Sequence, residues 1–378
     1  MSIFISSGEA SGDHYTANLA KTLRAGGYDG DIWGMGGVES RNAGVNALWH
    51  GERLQLLGLT EVISAIPSIF SLLNEMTDNI IKRKPEAVVV CDSPDFHMRL
   101  ISRLRSRGYE GRIFYLSPPS VWAWRSGRAK SLRLNVDENL PLFKFEHDYL
   151  LSQGCESYWR GHPLLEELDD FVKRPSPLAG KFDNERMIAF LPGSRGSEIK
   201  ALLPVKRESA DALASKGWQP VFSVAPGLNG AVREKMIAEF DRDGVLYYDG
   251  PGRDLMAAAR CAVGASGTIT VESLILGCYM IVTYKLNPIS AAVASVVVRM
   301  RFYAMANILA GKEIFPELLQ GRATAENITS DALAWLEEGS ERSREIEEDM
   351  LRTRQTLGEY GVYDFWSERV MRAVHGNA

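Results

Sequence analysis

Asp92, Asp95 and His97 follow directly on the apolar run Ala87-Val88-Val89-Val90-Cys91, and so place two carboxylates and an imidazole at the end of one short hydrophobic segment. A general base must come within hydrogen-bond reach of the hydroxyl it deprotonates, and Asp92, the first to leave the run, is the candidate for that work. The plainer alternative is a turn, since aspartates beside Pro94 are common turn formers. Upstream, Ser7-Gly8-Glu9-Ala10-Ser11-Gly12-Asp13 sets two glycines and small hydroxyls just before a helix expected to start near His14. Such a loop lets backbone approach a ligand. It lacks the G-x-G-x-x-G spacing, and Glu9 and Asp13 would repel a pyrophosphate. A glycine turn with an aspartate cap is the plain alternative here.

A second group of residues carries the opposite charge. Leu191-Pro192-Gly193-Ser194-Arg195-Gly196-Ser197-Glu198 is another strand-to-glycine turn, and Arg195 can fork onto phosphate oxygens. Gly264-Ala265-Ser266-Gly267-Thr268-Ile269-Thr270-Val271-Glu272 joins small residues and hydroxyls to a helix start, where amides favour phosphate and Glu272, about one turn in, could accept from ribose hydroxyls. Mere capping is the alternative for both. Trp122 and Trp124, two apart before Arg125, would face one way in extended chain, either to stack on a ligand or to pack internally. Ile63, Ile66, Ile69, Phe70 and Leu73 mark an apolar helical stretch interrupted at Pro67, which suits either the core or a lipid interface. Arg299 and Arg301 could add the electrostatic half of interfacial binding.

The elements that must hold these residues read as α/β. Short apolar runs (Ile3–Ile5, Ala87–Cys91, Arg112–Leu116) alternate with helical patterns, which implies parallel strands covered on both faces, with ligands beyond their carboxyl ends. Lys173-Arg174-Pro175-Ser176-Pro177 reads as a linker, after which strands are expected at 187–191, 219–224, 245–248, 261–264 and 280–284. The expected organisation is therefore two doubly wound, Rossmann-like parallel-sheet domains facing a cleft, divided as 1–170, 171–350 and a helical 351–378 packing back on the first domain. A length of 378 residues, 45% hydrophobic and 24% charged, fits two packed cores. Net charge −5 gives no reason to expect nucleic acid. Cys91, Cys155, Cys261 and Cys278 have no metal or disulfide spacing and read as buried thiols of a reducing compartment. The N-terminus reads as a strand rather than a signal peptide, and the most apolar later stretch, 289–298, is too short to span a bilayer.

Together these segments resemble the lipid-A-disaccharide synthase family of glycosyltransferases, of the two-Rossmann-domain type called GT-B. The likeness covers nearly the whole chain through S-G-E-A-S-G-D (Ser7 to Asp13), D-S-P-D-F (Asp92 to Phe96), P-S-V-W-A-W-R (Pro119 to Arg125) and G-H-P (Gly161 to Pro163). L-P-G-S-R-G-S-E (Leu191 to Glu198), A-S-G-T (Ala265 to Thr268) and N-I-L-A-G-K-E (Asn307 to Glu313) complete it. The resemblance implies inverting transfer of 2,3-diacylglucosamine from its UDP form to the 6-hydroxyl of 2,3-diacylglucosamine 1-phosphate, giving a β(1→6) disaccharide 1-phosphate and UDP. It implies Asp92 as base, and an acceptor site of Glu9, Ser11, Gly12, Asp95, Trp122 and Trp124. UDP would be held by Gly193, Ser194, Arg195, Ser266, Gly267, Thr268, Glu272, Asn307 and Gln320. The surface at Ile63, Ile66, Ile69, Phe70 and Leu73 would face the membrane, placing the enzyme in the cytoplasm, peripheral on the inner face of the bacterial inner membrane. No metal or other cofactor is expected, and the partners expected are the two acylated sugars and the lipid surface, with a homodimer left open. The chain departs from the family at Pro118, at Ala306 and in the stretched segment 140–146, all bearing on acceptor specificity. The competing readings are a UDP-N-acetylglucosamine 2-epimerase or another GT-B enzyme, and a non-catalytic peripheral-membrane protein that binds nucleotide sugars.

Overall fold

The computed structural model describes residues 1–55, 62–123, 125–193, 196–285, 301–336 and 341–376, with backbone alone at 55, 62–66 and 197. It divides into two compact units, Met1–Pro163 joined by Gly358–Ala378, and Leu164–Leu357.

In the first unit, β1 (Ser2–Ser7), β2 (Asp31–Gly36), β3 (Asn46–His50), β4 (Ala87–Cys91), β5 (Arg112–Leu116) and β6 (Glu138–Leu140) form a sheet ordered β3-β2-β1-β4-β5-β6. Every pairing is parallel. The apolar runs are unbroken because both faces are buried. Phe4, Val88, Val90, Ile113 and Tyr115 enter one core, while Ile3, Ile5, Val89, Cys91 and Phe114 enter the other, as the two-residue period of a strand requires. Helices Val62–Arg83 and Pro94–Ser106 cover the first face through Leu72, Leu73, Met76, Leu100 and Leu104. Helices Ala10–Ala25 and Val362–Val374 cover the second through Leu19, Leu23, Trp366 and Val370. At Gly34 (φ +150°) an added Cβ would lie 1.9 Å from the Ile5 carbonyl oxygen, so the close approach of β2 to β1 demands glycine.

In the second unit, β7 (Met187–Phe190), β8 (Gln219–Val224), β9 (Tyr247–Asp249), β10 (Cys261–Gly264), β11 (Met280–Tyr284) and β12 (Glu317–Leu319) are ordered β12-β11-β10-β7-β8-β9, again parallel throughout. Counted within each unit, the two sheets have the same order. Each therefore reverses between its first and fourth strands, β1/β4 and β7/β10, the position at which such sheets open a ligand crevice beyond their carboxyl ends.

Four expectations need correction. The first helix begins at Ala10 rather than near His14, because Glu9 takes the extended N-cap conformation. The helix Val62–Arg83 runs on through Pro67, its inner face of Leu72, Leu73, Met76 and Ile80 being anchored in the core. The units divide at Pro163/Leu164, before the Lys173–Pro177 segment, because helix Leu164–Val172 packs against helix Thr268–Leu276 of the second unit and buries Leu164, Leu165 and Leu168. The chain returns to the first unit at Gly358 rather than 351, since helix Glu341–Gln355 belongs to the second unit through Met350. All four cysteines are free and buried. Among the described residues no helix is long and apolar enough to cross a membrane.

Candidate active site

In the first unit, Asp92 and Ser93 follow β4 with φ of 53° and 41°, left-handed conformations that each raise the energy of an L-residue by about 1–2 kcal/mol. Surrounding groups enforce them. The Asp92 carbonyl oxygen accepts from His97 Nδ1 at 2.8 Å and from the Tyr115 hydroxyl at 2.9 Å. Because a carbonyl only accepts, His97 carries its proton on Nδ1, and Nε2 accepts from Ser6 Oγ at 2.8 Å. His97 is fully buried, and burial lowers its pKa to about 4. It is thus a neutral strut with both nitrogens engaged.

The Asp92 carboxylate accepts from the Gly8 and Glu9 amides at 3.2 and 3.3 Å and remains half-buried. Burial pushes its pKa up to about 7, opposed by the Ser93 hydrogen bond and reinforced by the neighbouring Glu9 charge. A carboxylate poised near neutrality can take a proton from a hydroxyl and release it again. Glu9 and Ser11 are exposed at the start of helix Ala10–Ala25, and Gly12 lies buried directly against Asp92. Asp13 turns away from this opening. Its carboxylate accepts the amides of Gly37, Glu39 and Ser40 at 2.7, 2.9 and 3.2 Å, and so caps helix Val38–Asn42.

Beside Asp92 runs a groove of about 480 Å³, walled by Leu54, Ile69, Phe70, Leu73 and Phe96, with Glu9 and Ser93 near the carboxylate and Arg99 further along. Of the residues expected to face lipid, Phe70 is 39% exposed, Ile69 is half-buried against the core, and the side chains of Ile63 and Ile66 lie outside the described residues. Leu73 is a correction. At 1% exposure it points inward toward the sheet, so a lipid-facing role fails. Asp95 is exposed and paired with Arg125 at 3.0 Å and with Arg128. Trp122 lies in a turn closed by the Ala123 amide on Ser120, which removes the extended alternation expected for the two tryptophans. Its indole donates to Glu146 Oε1 at 2.9 Å and meets Phe145 edge-on at 4.8 Å. Trp124 lies outside the described residues. Glu146 is buried, and burial pushes its pKa to about 7.

In the second unit, the turns after β7 and β10 flank the other switch point. Gly193 (φ +105°) follows β7, and Ser194 and Arg195 lie outside the described residues. Gly267 (φ +142°) caps helix Thr268–Leu276, whose first amides point out of the helix N-terminus, with Thr268 exposed and Glu272 half-buried one turn on. Ser266 Oγ donates to the Tyr303 carbonyl at 2.9 Å. Glu317 in turn accepts from the Tyr303 and Ala304 amides at 2.9 and 2.8 Å and from Asn307 Nδ2 at 2.9 Å. Asn307 also donates to Phe315 and accepts from Ile314 and Phe315, so its amide has no bonding capacity left for a ligand; it braces the loop that carries Ser266's partner. Gln320 (φ +53°) opens the short turn Gln320–Arg322 after β12.

Lys206, not singled out from the sequence, is fully buried and donates to the Leu191 carbonyl at 2.7 Å, directly before the glycine turn. Burial lowers its pKa to about 7, against the pull of Glu198. The spacing Ile199, Leu202, Lys206, Leu213 already sets it on the apolar face of its helix.

Two parallel sheets of one strand order, each with its ligand-type turns at the reversal, define the GT-B class. The sequence profile described as Lipid-A-disaccharide synthetase matches residues 3–367. Curated relatives called Lipid-A-disaccharide synthase include one from Myxococcus xanthus (strain DK1622), 32% identical over 98% of this chain and 97% of its own. Another, from Anaeromyxobacter dehalogenans (strain 2CP-1 / ATCC BAA-258), is 36% identical over 95% and 94%. The chain belongs to the lipid-A-disaccharide synthetase family. Among solved structures, a putative UDP-N-acetylglucosamine 2-epimerase from Listeria monocytogenes matches all of this chain and 97% of its own, with TM-score 0.68 at 12% identity. A UDP-GlcNAc 2-epimerase from Neisseria meningitidis bound to UDP-GlcNAc matches 98% and 100%, with TM-score 0.64 at 14% identity. These two similarities show the shared fold.

Proposed function

We propose that this chain transfers 2,3-diacylglucosamine from UDP-2,3-diacylglucosamine to the 6-hydroxyl of 2,3-diacylglucosamine 1-phosphate, with inversion. The observation that carries the reading is Asp92, a half-buried carboxylate held by two amides with its pKa raised to about 7. Family membership supports the same reaction class. The acceptor oxygen forms a bond to the donor's anomeric carbon from the side opposite the diphosphate. The bond from that carbon to the diphosphate breaks, its electron pair leaves with UDP, and the hydroxyl proton passes to Asp92. Arg195 and the amides at Ser266, Gly267 and Thr268 stabilise the charge that develops on the departing diphosphate. We assign no cofactor to the reaction. The enzyme would work on the cytoplasmic face of the inner membrane, where its acylated substrates reside, with the exposed Phe70 edge turned to lipid.

Mass spectrometry of the product formed from the two acylated sugars tests this. A disaccharide 1-phosphate, absent with Asp92→Asn while UDP still binds, is the expected result. Loss of UDP affinity in that variant would remove the role given to Asp92. An epimerised UDP-sugar formed without acceptor would overturn the reaction itself.

A further inference from the structure

The groove beside Asp92 is largely apolar along its walls, with Glu9, Asp95 and Arg99 as its charged residues. Arg99 lines it, with its guanidinium 5.7 Å above the Phe70 ring; Arg103 stands 5.8 Å from the same ring. Beyond Arg99 a shallower hollow of about 350 Å³ is lined by Met98, Arg99, Ser102, Arg103 and Ser131, so Arg99 belongs to both spaces. The nearest carboxylate on the same helix, Asp95, is taken by Arg125 and Arg128. Arg103 donates to the neutral Asn74 side-chain oxygen, and among the described residues no carboxylate pairs with Arg99 or Arg103. Two guanidiniums and two serine hydroxyls around one hollow form a donor-rich site suited to a phosphate. Arg99 lies five residues along the helix from Pro94, about 7.5 Å at 1.5 Å per residue, roughly the width of a hexose from the Asp92 end.

The geometry points to the hollow at Arg99, Ser102 and Arg103 as the subsite for the acceptor's phosphate, reached when the acyl chains lie along the apolar groove and a sugar hydroxyl meets Asp92. This rests on the transfer reaction proposed above. A ligand that is apolar in the middle, anionic at one end and hydroxylic at the other matches the groove in order. A phospholipid headgroup presents the same phosphate chemistry, and the test separates the two.

Initial rates are measured for wild type, Arg99→Gln and Arg103→Gln with the phosphorylated acceptor and with its dephosphorylated counterpart. Binding to vesicles of pure phosphatidylcholine and of phosphatidylcholine with phosphatidylglycerol is measured alongside. The expected result is a KM for the phosphorylated acceptor raised at least tenfold in Arg99→Gln, with the KM for the dephosphorylated sugar, the KM for the UDP-sugar and vesicle binding all unchanged. Arg99→Lys should recover part of the loss. An equal rise for both acceptors would overturn the subsite, as would weaker binding to anionic vesicles with no change in acceptor KM, which would give the hollow to membrane lipid. If wild type itself forms no disaccharide with either acceptor, the transfer reaction has failed, a result distinct from loss of the subsite.

Discussion

Gly12 and the Asp92 carboxylate are packed so closely that a Cβ on Gly12 would stand 1.7 Å from Asp92 Oδ2. The first turn of helix Ala10–Ala25 thus forms the back wall of the proposed base. An alanine inside a helix ordinarily stabilises by about 1 kcal/mol relative to glycine, yet here it must displace the carboxylate. Gly12→Ala is expected to lower kcat by about 100-fold or more, as misplacing a reacting group by an ångström does, while the melting temperature changes by only a few degrees. Retention of full kcat would show that Asp92 is not the base.

The pH profile should follow the same carboxylate. With its pKa raised to about 7, kcat/KM is expected to climb roughly tenfold per pH unit below that value and to level off above it. The stability sign is opposite. The folded value exceeds the ordinary 3.8, so between the two the folded chain holds a proton that the unfolded chain has lost, and stability falls as pH rises through that window. Asp92→Asn should therefore gain stability relative to wild type between about pH 4 and pH 8. Thermal melts of both proteins across that range measure it, and parallel curves would contradict the raised pKa.

Much of this fold is legible in the sequence, and the rest is hidden for physical reasons. Strands β1, β4, β5, β7, β8, β10 and β11 are readable as apolar runs because successive residues along each are buried on both faces of the strand. β2 is obscured by Gly34, which its approach to β1 requires, and by Gly36, which packs against Ser40, while the three-residue β6 and β12 are too short to show a period. Asp92 stands out because it ends a strand. The clamp on its carbonyl joins Ser6, His97 and Tyr115 from three different elements, so no local spacing encodes it. The proline-bearing segment after Val172 reads as a linker, but the apolar stripe of helix Leu164–Val172 already commits the chain to the second unit.

Glu146 offers a second group titrating near neutrality, which must be separated from Asp92. Its carboxylate accepts the Trp122 indole N–H and is raised to about 7 by burial. Glu146→Gln keeps an acceptor for the indole without a titrating group, so the midpoint of the kcat/KM profile should stay where it was. Glu146→Ala releases the ring and should raise the acceptor KM several-fold with little change in kcat. A midpoint that vanishes in Glu146→Gln would transfer the titration from Asp92 to Glu146.

Lys206 makes the most counterintuitive prediction, that removing a lysine stabilises the protein at one pH and destabilises it at another. Its ordinary pKa of 10.5 is lowered by burial to about 7 in the folded chain. Between those values the unfolded chain binds a proton that the folded chain lacks, so stability rises with pH across the window and is lowest below about pH 7. At about 1.4 kcal/mol for each pH unit in that interval, the penalty below pH 7 has a ceiling on the order of 5 kcal/mol. Replacing Lys206 by methionine removes the penalty but leaves the Leu191 carbonyl, now 2.7 Å from Nζ, without its donor, a loss of about 1–3 kcal/mol. Lys206→Met should therefore melt higher than wild type at pH 6 and lower at pH 10. The Leu191 carbonyl leads into the glycine turn at Gly193, so UDP affinity should weaken in the variant at both pH values. A constant offset in melting temperature from pH 6 to pH 10 would mean that the lysine remains charged in the folded protein.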